Sequence, residues 1–277
     1  MLIRMASTPF PGSNPQTVVI TGASSGIGAA LAVRYAQDRG VLGLIGRDRE
    51  RLERVAERCR AHGSDVRTAQ IDVRDRLGLA AWLEEFDRAS PVDIVIANAG
   101  VSIGTTPDGK LEDSDAAYAL MQINVLGVLN TVQPLIPAML RRRRGRIAIM
   151  SSIAALYPLP DSSAYSASKA AVLSYGLALR DYLYNAGVRV TVICPGYVTS
   201  PLSERIKGRR PLEISAEAAA DRIVKALKSN RAVIAFPWLL AFAARLTAAM
   251  PDTMRRRGFK RFRFYIASHG DRRDAGP

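Results

Sequence analysis

The chain has 277 residues, of which 48% are hydrophobic and 23% charged, a balance typical of a globular protein with one large core. Two cysteines, Cys59 and Cys194, exclude a disulfide framework and lack metal-ligand spacing, so we predict no metal site and a cytoplasmic, reducing location. A net charge of +14 is compatible with nucleic acid, anionic lipid or an anionic ligand as partner.

The first residues predict a disordered leader over 1–15, because Arg4 interrupts the apolar start and Pro and Ser are frequent up to Gln16. No segment is expected to be long enough to cross a bilayer. The best candidate, residues 232–244, is 13 residues long and contains Pro237, whereas a spanning helix needs about 20.

Short apolar runs rich in β-branched residues alternate with helical patterns over residues 16–236. Their near-continuous apolar character indicates strands buried on both faces of a parallel sheet. The alternation predicts an α/β protein with a doubly wound Rossmann fold, about seven parallel strands with helices on both faces. Strands are predicted at 17–21, 43–46, 68–72, 93–98, 146–151, 188–194 and 232–236, and helices at 26–39, 49–62, 75–88, 112–142, 163–185 and 216–228. Residues 237–277 are predicted to be a basic, amphipathic helical tail.

The sequence "TGASSGIG" joins the first strand to the first helix. One glycine permits a tight turn, another lets the backbone approach a pyrophosphate, and another lets helix and strand pack closely. The helix N-terminus then offers free N–H groups and a positive dipole end to phosphates. The predicted contacts of this turn with a dinucleotide are Gly22, Ser24, Ser25, Gly26, Ile27 and Gly28.

The end of the second strand indicates which dinucleotide is bound. An acidic residue there would bind the ribose 2′-hydroxyl of NAD, but the chain has Gly46 followed by Arg47. A guanidinium binds a 2′-phosphate in bidentate fashion, so NADP is favoured over NAD. The alternatives are that Arg47 is a plain surface residue, or that the neighbouring Asp48 offsets its charge.

Tyr165 and Lys169 in "YSASK" are four residues apart on one predicted helix, and therefore lie on one face. A nearby ammonium is expected to lower the pKa of the phenol, so that the pair could exchange a proton with an alcohol or carbonyl. Ser152, at the end of a predicted strand, could hold the carbonyl oxygen of the substrate, and Ser151 is a weaker candidate for that role.

The motifs "TGASSGIG", "NAG" (98–100), "SS" (151–152), "YSASK" (165–169) and "PG" (195–196), in this order and spacing, resemble the classical short-chain dehydrogenase/reductase family over residues 16–235. The resemblance implies an oxidoreductase that transfers a hydride between a nicotinamide and a carbonyl or secondary alcohol. It implies that Asn124 holds a water that relays protons from Lys169, and that Lys169 also binds the nicotinamide ribose.

Further cofactor contacts follow from the same resemblance. Asp72 and Val73 match the adenine contacts, and Thr199 and Ser200 are the two candidates for the carboxamide. The floor of the cofactor site and the loop over the nicotinamide are matched by Asn98, Ala99, Gly100, Pro195, Gly196 and Val198. The resemblance also implies a homodimer or homotetramer paired through helices 112–142 and 163–185.

The sequence says less about the substrate than about the cofactor. Residues 197–215 are predicted to close as a lid, over an apolar or lipid-like substrate. The basic residues of this segment also allow an anionic or phosphorylated substrate, and surface solvation explains their charge equally well. The tail 237–266 mixes an apolar helical stripe with basic and aromatic residues. It predicts a core or dimer helix, or peripheral contact with a membrane surface, whereas nucleic acid is not favoured. The alternatives to an enzyme are a non-catalytic NADP-binding scaffold or redox sensor, and a membrane-binding protein acting through this tail.

Overall fold

A computed structural model of the chain describes residues 16–106, 108–208, 210–251 and 265–266. The predicted leader and most of the tail beyond residue 251 lie outside the described residues. The strands, in chain order, are β1 (Thr17–Thr21), β2 (Val41–Gly46), β3 (Asp65–Gln70), β4 (Ile94–Ala97), β5 (Gly145–Met150), β6 (Val188–Pro195), β7 (Ile206–Lys207), β8 (Val233–Phe236) and β9 (Tyr265–Ile266).

Seven of these strands form one parallel sheet in the order β3-β2-β1-β4-β5-β6-β8. The register places Val18 opposite Leu42 on one side and Ile94 on the other. Every residue of β1, β4 and β5 is buried, as their apolar runs predict. The chain reverses its direction of travel across the sheet between β1 and β4, and ligands of doubly wound sheets bind beyond the carboxyl ends of the strands at this point.

Helices cover both faces, so the predicted doubly wound Rossmann fold and its C-terminal helix are confirmed. The helices are α1 (Gly26–Ala36), α2 (Arg49–Ala61), α3 (Arg76–Ala89), α4 (Ser114–Met121), α5 (Gly127–Val132), α6 (Ile136–Arg142), α7 (Ser163–Leu183), α8 (Ala216–Lys228) and α9 (Trp238–Ala248). One core contains residues of α1, α2 and α8, and the other residues of α3, α5, α6 and α7. Side chains cap several helices; for example, Asp48 accepts a hydrogen bond from the Arg51 N–H at 3.0 Å.

The prediction of one regular helix over 112–142 was too simple. A π-helical turn at Gln122–Leu126 and a 3₁₀ turn at Gln133–Leu135 interrupt it, the second at Pro134, which lacks a backbone N–H. The strand predicted at 68–72 is found at Asp65–Gln70, because its register with β2 ends at the pair Gly46 and Gln70.

Among the described residues, one helical run, Ser114–Arg142, is long and apolar enough by composition to cross a membrane, which corrects the expectation from the sequence. Its apolar residues have another use in this fold. Val128, Val132, Leu135 and Met139 are buried in the second core, against the sheet. Part of the apolar character of the run therefore reflects its packing against the sheet.

The basic cluster "RRRRGR" (141–146) does not form a free charged surface. Arg142 makes a bidentate ion pair with the buried Asp87, at 2.7 and 2.8 Å, and Arg144 pairs with Asp93. The Arg146 side chain is buried and bonds the Leu227 carbonyl. Three of the five arginines therefore tie α6 and β5 to neighbouring elements.

Candidate active site

The carboxyl ends of the central strands open into a cleft of about 1090 Å³. Pockets for one small ligand are usually about 300–1,000 Å³, so this cleft has room for a dinucleotide and a part of a second molecule. Of the residues predicted to bind a cofactor or act in catalysis, all of which the structure describes, only Gly28, Asn124 and the alternative candidate Thr199 do not line it. The structure thus brings residues from five separate sequence motifs to one site.

The glycine turn has a backbone conformation that favours glycine at two positions, so the turn itself carries no side chain at either of them. Gly22 and Gly26 have φ angles of +66° and +54°, which favour glycine. A Cβ on Gly28 would lie 2.2 Å from the carbonyl oxygen of Gly22, so this glycine lets helix and strand pack rather than touching a ligand. The Asn98 amide donates to the carbonyls of Thr21 and Gly22, at 3.0 and 3.2 Å, and so fixes the turn against β4.

Charged side chains surround the far end of the cleft, after β2 and β3. Arg47 is exposed, with Nη1 3.9 Å from a carboxylate oxygen of Asp72. Hydrogen bonds from Arg74 hold the pKa of the Asp72 carboxyl below its usual range. Arg51, in the first turn of α2, also lines the cleft, although no sequence motif pointed to it. Its position four residues after Arg47 in the same basic segment is the signal that could have identified it.

Tyr165 and Lys169 lie on the cleft side of α7, with Lys169 Nζ 5.7 Å from the centre of the Tyr165 ring. Nζ donates to the Met150 carbonyl at 3.0 Å, and the lysine is only 4% exposed. Ser152 follows β5; its Oγ accepts from the Ala154 N–H at 3.1 Å, and the Ser152 side chain hydrogen-bonds Tyr165. Tyrosine, lysine and serine therefore share one end of the cleft.

In the chain without a cofactor, burial shifts the pKa values of both Tyr165 and Lys169. It raises the pKa of the Tyr165 phenol above its usual range, opposed by the hydrogen bond with Ser152. It lowers the pKa of Lys169 to about 8. The expected lowering of the tyrosine pKa by the ammonium is not found, because Nζ faces the Met150 carbonyl and its own charged form is disfavoured by burial.

The neighbouring serines have separate roles. Ser151 donates to the Lys169 carbonyl at 2.7 Å and is buried, so its hydroxyl is engaged with the backbone of α7. Ser168 donates to the Tyr165 carbonyl at 2.7 Å and accepts from Asn124 at 3.0 Å. Of the two serines after β5, only Ser152 has a side chain that the geometry connects to Tyr165.

Asn124 lies in the π-helical turn and is fully buried. Its amide donates to the Val101 carbonyl and to Ser168, and its Oδ1 accepts from the Val101 N–H at 2.8 Å. A Cβ on Gly100 would lie 3.2 Å from Asn124 Oδ1 and 3.3 Å from Lys169 Nζ, so only a small gap separates these groups. Both N–H donors of the amide are used, and a relay water could reach this residue only as a donor.

The substrate end of the cleft is mainly apolar. The predicted lid contributes Tyr197, Leu202, Ile206 and Pro211. Ser200 lines the cleft beside Gly26, whereas Thr199 is exposed outside it, so Ser200 is the better placed candidate for a carboxamide contact.

Sequence reasoning did not identify another part of this wall. The residues of the described chain that complete it include Ile153, Ala154, Tyr157 and Leu159 after β5, and Leu240, Ala243, Ala244, Thr247 and Met250 in and after α9. The apolar stripe of the tail was visible in the sequence, but its contact with the cleft depends on the path of the chain after β8.

Within the described residues, no three His, Cys, Asp or Glu side chains form a group that could hold a metal ion. Cys59 and Cys194 are both buried free thiols, and burial raises the pKa of each to about 11. His62 is exposed at the end of α2, and His269 lies outside the described residues.

Comparison with known proteins gives the same picture. An uncharacterized oxidoreductase from Myxococcus xanthus is 33% identical over 241 residues, 86% of this chain and 94% of that protein. A short-chain dehydrogenase/reductase from Burkholderia phymatum, solved with NAD, has a TM-score of 0.78 at 26% identity and covers 86% of this chain and 95% of its own. One from Sphingobium yanoikuyae, solved with NADPH, has a TM-score of 0.73 at 26% identity, covering 92% and 99%.

A family model described as short chain dehydrogenase matches residues 16–210, the part of the chain that carries the glycine turn, Ser152, Tyr165, Lys169 and the Pro195-Gly196 loop. With that match over most of the chain, and a relative of 33% identity along nearly its whole length, the chain belongs to the short-chain dehydrogenase/reductase family of oxidoreductases.

Proposed function

We propose that the chain is an NADP(H)-dependent oxidoreductase that interconverts a carbonyl and a secondary alcohol on an apolar substrate, with Tyr165 as general acid and base. The observation that carries this proposal is that Tyr165, Lys169 and Ser152 line the same cleft as the glycine turn. A phosphate cradle and a proton donor in one cleft suit a dinucleotide whose reactive ring meets a second molecule.

The residues present fit a nicotinamide dinucleotide. The turn of Gly22 and Gly26 would hold the pyrophosphate, Asp72 and Val73 the adenine, and Lys169 the nicotinamide ribose. Pro195, Gly196 and Ser200 would hold the nicotinamide side. The bound group supplies or accepts the hydride. Solved relatives carry NAD in one case and NADPH in another, which supports this cofactor class.

The side chains supply the proton chemistry. In the reductive direction the Tyr165 hydroxyl donates its proton to the substrate oxygen as the carbonyl carbon is reduced, and in the oxidative direction the phenolate accepts it back. Ser152 orients the same oxygen by a hydrogen bond. Lys169, whose pKa of about 8 leaves it mostly charged at neutral pH, would stabilise the phenolate while that state lasts.

The test of the mechanism is the Tyr165→Phe variant, assayed with NADPH and a panel of ketones, aldehydes and 3-oxoacyl thioesters. We expect turnover to fall by at least about a hundredfold, the usual contribution of a positioned acid or base. Tyr182→Phe is the matched control, since Tyr182 is on the same helix and 80% exposed. Turnover retained in Tyr165→Phe would exclude Tyr165 as the proton donor, and NADPH binding without turnover of any substrate would favour a redox sensor.

The NADP preference rests on Arg47 at the end of β2, with Arg51 beside it, and on the absence of an acid at position 46. In Arg47→Ala we expect kcat/KM for NADPH to fall about tenfold or more relative to NADH, because a charge-assisted contact to the 2′-phosphate is lost. Arg49→Ala is the control, as an exposed arginine of the same segment. If the ratio of kcat/KM for NADPH to kcat/KM for NADH is unchanged, Arg47 does not determine the cofactor preference.

The proposed assembly is a homodimer or homotetramer. Tyr118, Met121 and Leu126, on α4 and the turn after it, are 74%, 38% and 52% exposed, and this patch supports pairing through the helices of 112–142. Light scattering on the full chain tests it, and a monomer at micromolar concentration would reject it. The buried free cysteines support a cytoplasmic location.

A further inference from the structure

Helix α9 is apolar on two opposite sides. Toward the cleft it presents Leu240, Ala244 and Thr247. Leu240 packs tightly there, since a Cβ on Gly196 would lie 3.0 Å from its Cδ2. This inner side is part of the wall around the substrate end of the cleft.

The outer side of α9 is uncovered. Trp238, Leu239, Phe242 and Leu246 are 74%, 51%, 59% and 51% exposed. At 3.6 residues per turn these four side chains fall within an arc of about 100°, opposite the residues that line the cleft. Four large apolar side chains clustered on one helix face indicate an interaction surface, unlike single exposed residues elsewhere.

Positive charge is found on α9 and is concentrated in the sequence that follows it. Arg245 is exposed on α9 itself. In the sequence, residues 252–266 contain six basic residues against one acidic residue, Asp252. An apolar helix face with a tryptophan and clustered arginines is the composition of helices that lie in the headgroup region of anionic bilayers. Two copies of the chain meeting through this face would bring like charges together, which disfavours a dimer here.

We propose that α9 docks on the surface of a bilayer with anionic headgroups, through Trp238, Leu239, Phe242 and Leu246, and that an apolar substrate passes from the lipid into the cleft beside this helix. The second part rests on the proposed function, because it takes the cleft as the place of reaction. A single helix thereby separates the lipid from the reaction site, with one apolar side toward each.

The two tryptophans of the chain, Trp82 and Trp238, make docking directly measurable. In the full-length Trp82→Phe protein all tryptophan emission comes from position 238. Vesicles of phosphatidylcholine with phosphatidylglycerol should shift that emission to shorter wavelength. Vesicles of phosphatidylcholine alone should give a weaker effect, and added salt should weaken binding, since screening reduces attraction to anionic lipid.

In the same background, Phe242→Ser with Leu246→Ser should weaken vesicle binding by at least about tenfold, because apolar insertion drives interfacial binding. Leu77→Ser, on α3 and 80% exposed, is the matched control and should leave binding unchanged. Both serine positions face solvent, so thermal unfolding and reduction of a short water-soluble ketone should not change. Turnover of a long-chain ketone presented in vesicles should fall.

The outcomes separate the two proposals. If the protein does not bind vesicles, or if the double substitution leaves binding intact, docking through α9 is rejected even where the soluble ketone is reduced. If vesicles are bound but no ketone is turned over, docking stands and the proposed function fails. A change of molecular mass in light scattering, caused by the double substitution without vesicles present, would identify a second copy as the partner and also reject the bilayer.

Discussion

Lys169 gives a prediction whose magnitude follows from the lowered pKa of its buried side chain. The lysine is 4% exposed, and burial lowers its pKa from 10.5 to about 8. Between these two values the unfolded chain binds a proton that the folded chain does not, so the contribution of Lys169 to the free energy of unfolding increases with pH. From pH 7 to pH 9.5 the gain is about 2 kcal/mol, at about 1.36 kcal/mol per pKa unit.

The assay compares wild type with Lys169→Met, which keeps the length of the side chain without its charge. Urea unfolding of the cofactor-free proteins is measured at pH 7 and pH 9.5, and the difference between the two proteins is followed. Other groups cancel in this difference, and the raised pKa of Tyr165 keeps its phenol neutral at both pH values. If the free energy of unfolding changes equally with pH in the two proteins, the pKa of Lys169 is not lowered by burial and the reasoning is refuted.

Three further predictions concern the cradle, the cleft wall and the fold. Gly28→Ala should abolish NADPH binding in calorimetry, because its Cβ would meet the Gly22 carbonyl oxygen at 2.2 Å. Ala244→Phe, which narrows the cleft, should lower kcat/KM for long-chain ketones about tenfold relative to short ones. Asp87→Asn should cost about 2–3 kcal/mol in urea unfolding, because it leaves Arg142 without its buried carboxylate partner.

Each of these three predictions has a control or an outcome that would contradict it. Tight NADPH binding by Gly28→Ala would show that the turn can move away from the helix. The control for Ala244→Phe is Ala248→Phe, one turn further along α9 and exposed to solvent, which should leave the ratio unchanged. A loss below about 0.5 kcal/mol for Asp87→Asn would place this pair among weak surface ion pairs.

The parts of the site that could be predicted from the sequence are those whose chemistry is local. The glycines of the turn can be recognised within residues 22 to 28, and Tyr165 and Lys169 are brought together by one helical turn. The sheet was predictable for a similar reason, since its strands are apolar runs buried on both faces. The start of β3 was not, because its register is set by pairing with β2 and not by its own residues.

Other features depend on contacts between distant segments, and no local pattern predicts them. In the sequence, the arginines of 141–146 suggest a basic surface. In the fold, Asp87 and Asp93 form ion pairs with two of them. The pKa of Tyr165 depends on how deeply the folded chain buries it and on where Lys169 Nζ points. The sequence predicted one apolar stripe on the tail, whereas α9 has apolar residues on two sides. Its inner side belongs to the cleft only because β8 ends beside the Pro195-Gly196 loop, with the Gly196 N–H bonded to the Phe236 carbonyl.

The two ends of the cleft are held by different forces. Buried hydrogen bonds fix the catalytic end, where Asn124, Ser168 and Lys169 are tied to one another or to strand β5. Apolar contacts of α9 and the two-residue ladder of β7 with β9 form the substrate end. If the proposed function holds, changes in the lid or α9 would alter which substrate binds without disturbing proton transfer. We expect specificity in this chain to follow its C-terminal segment, and reactivity to follow α7.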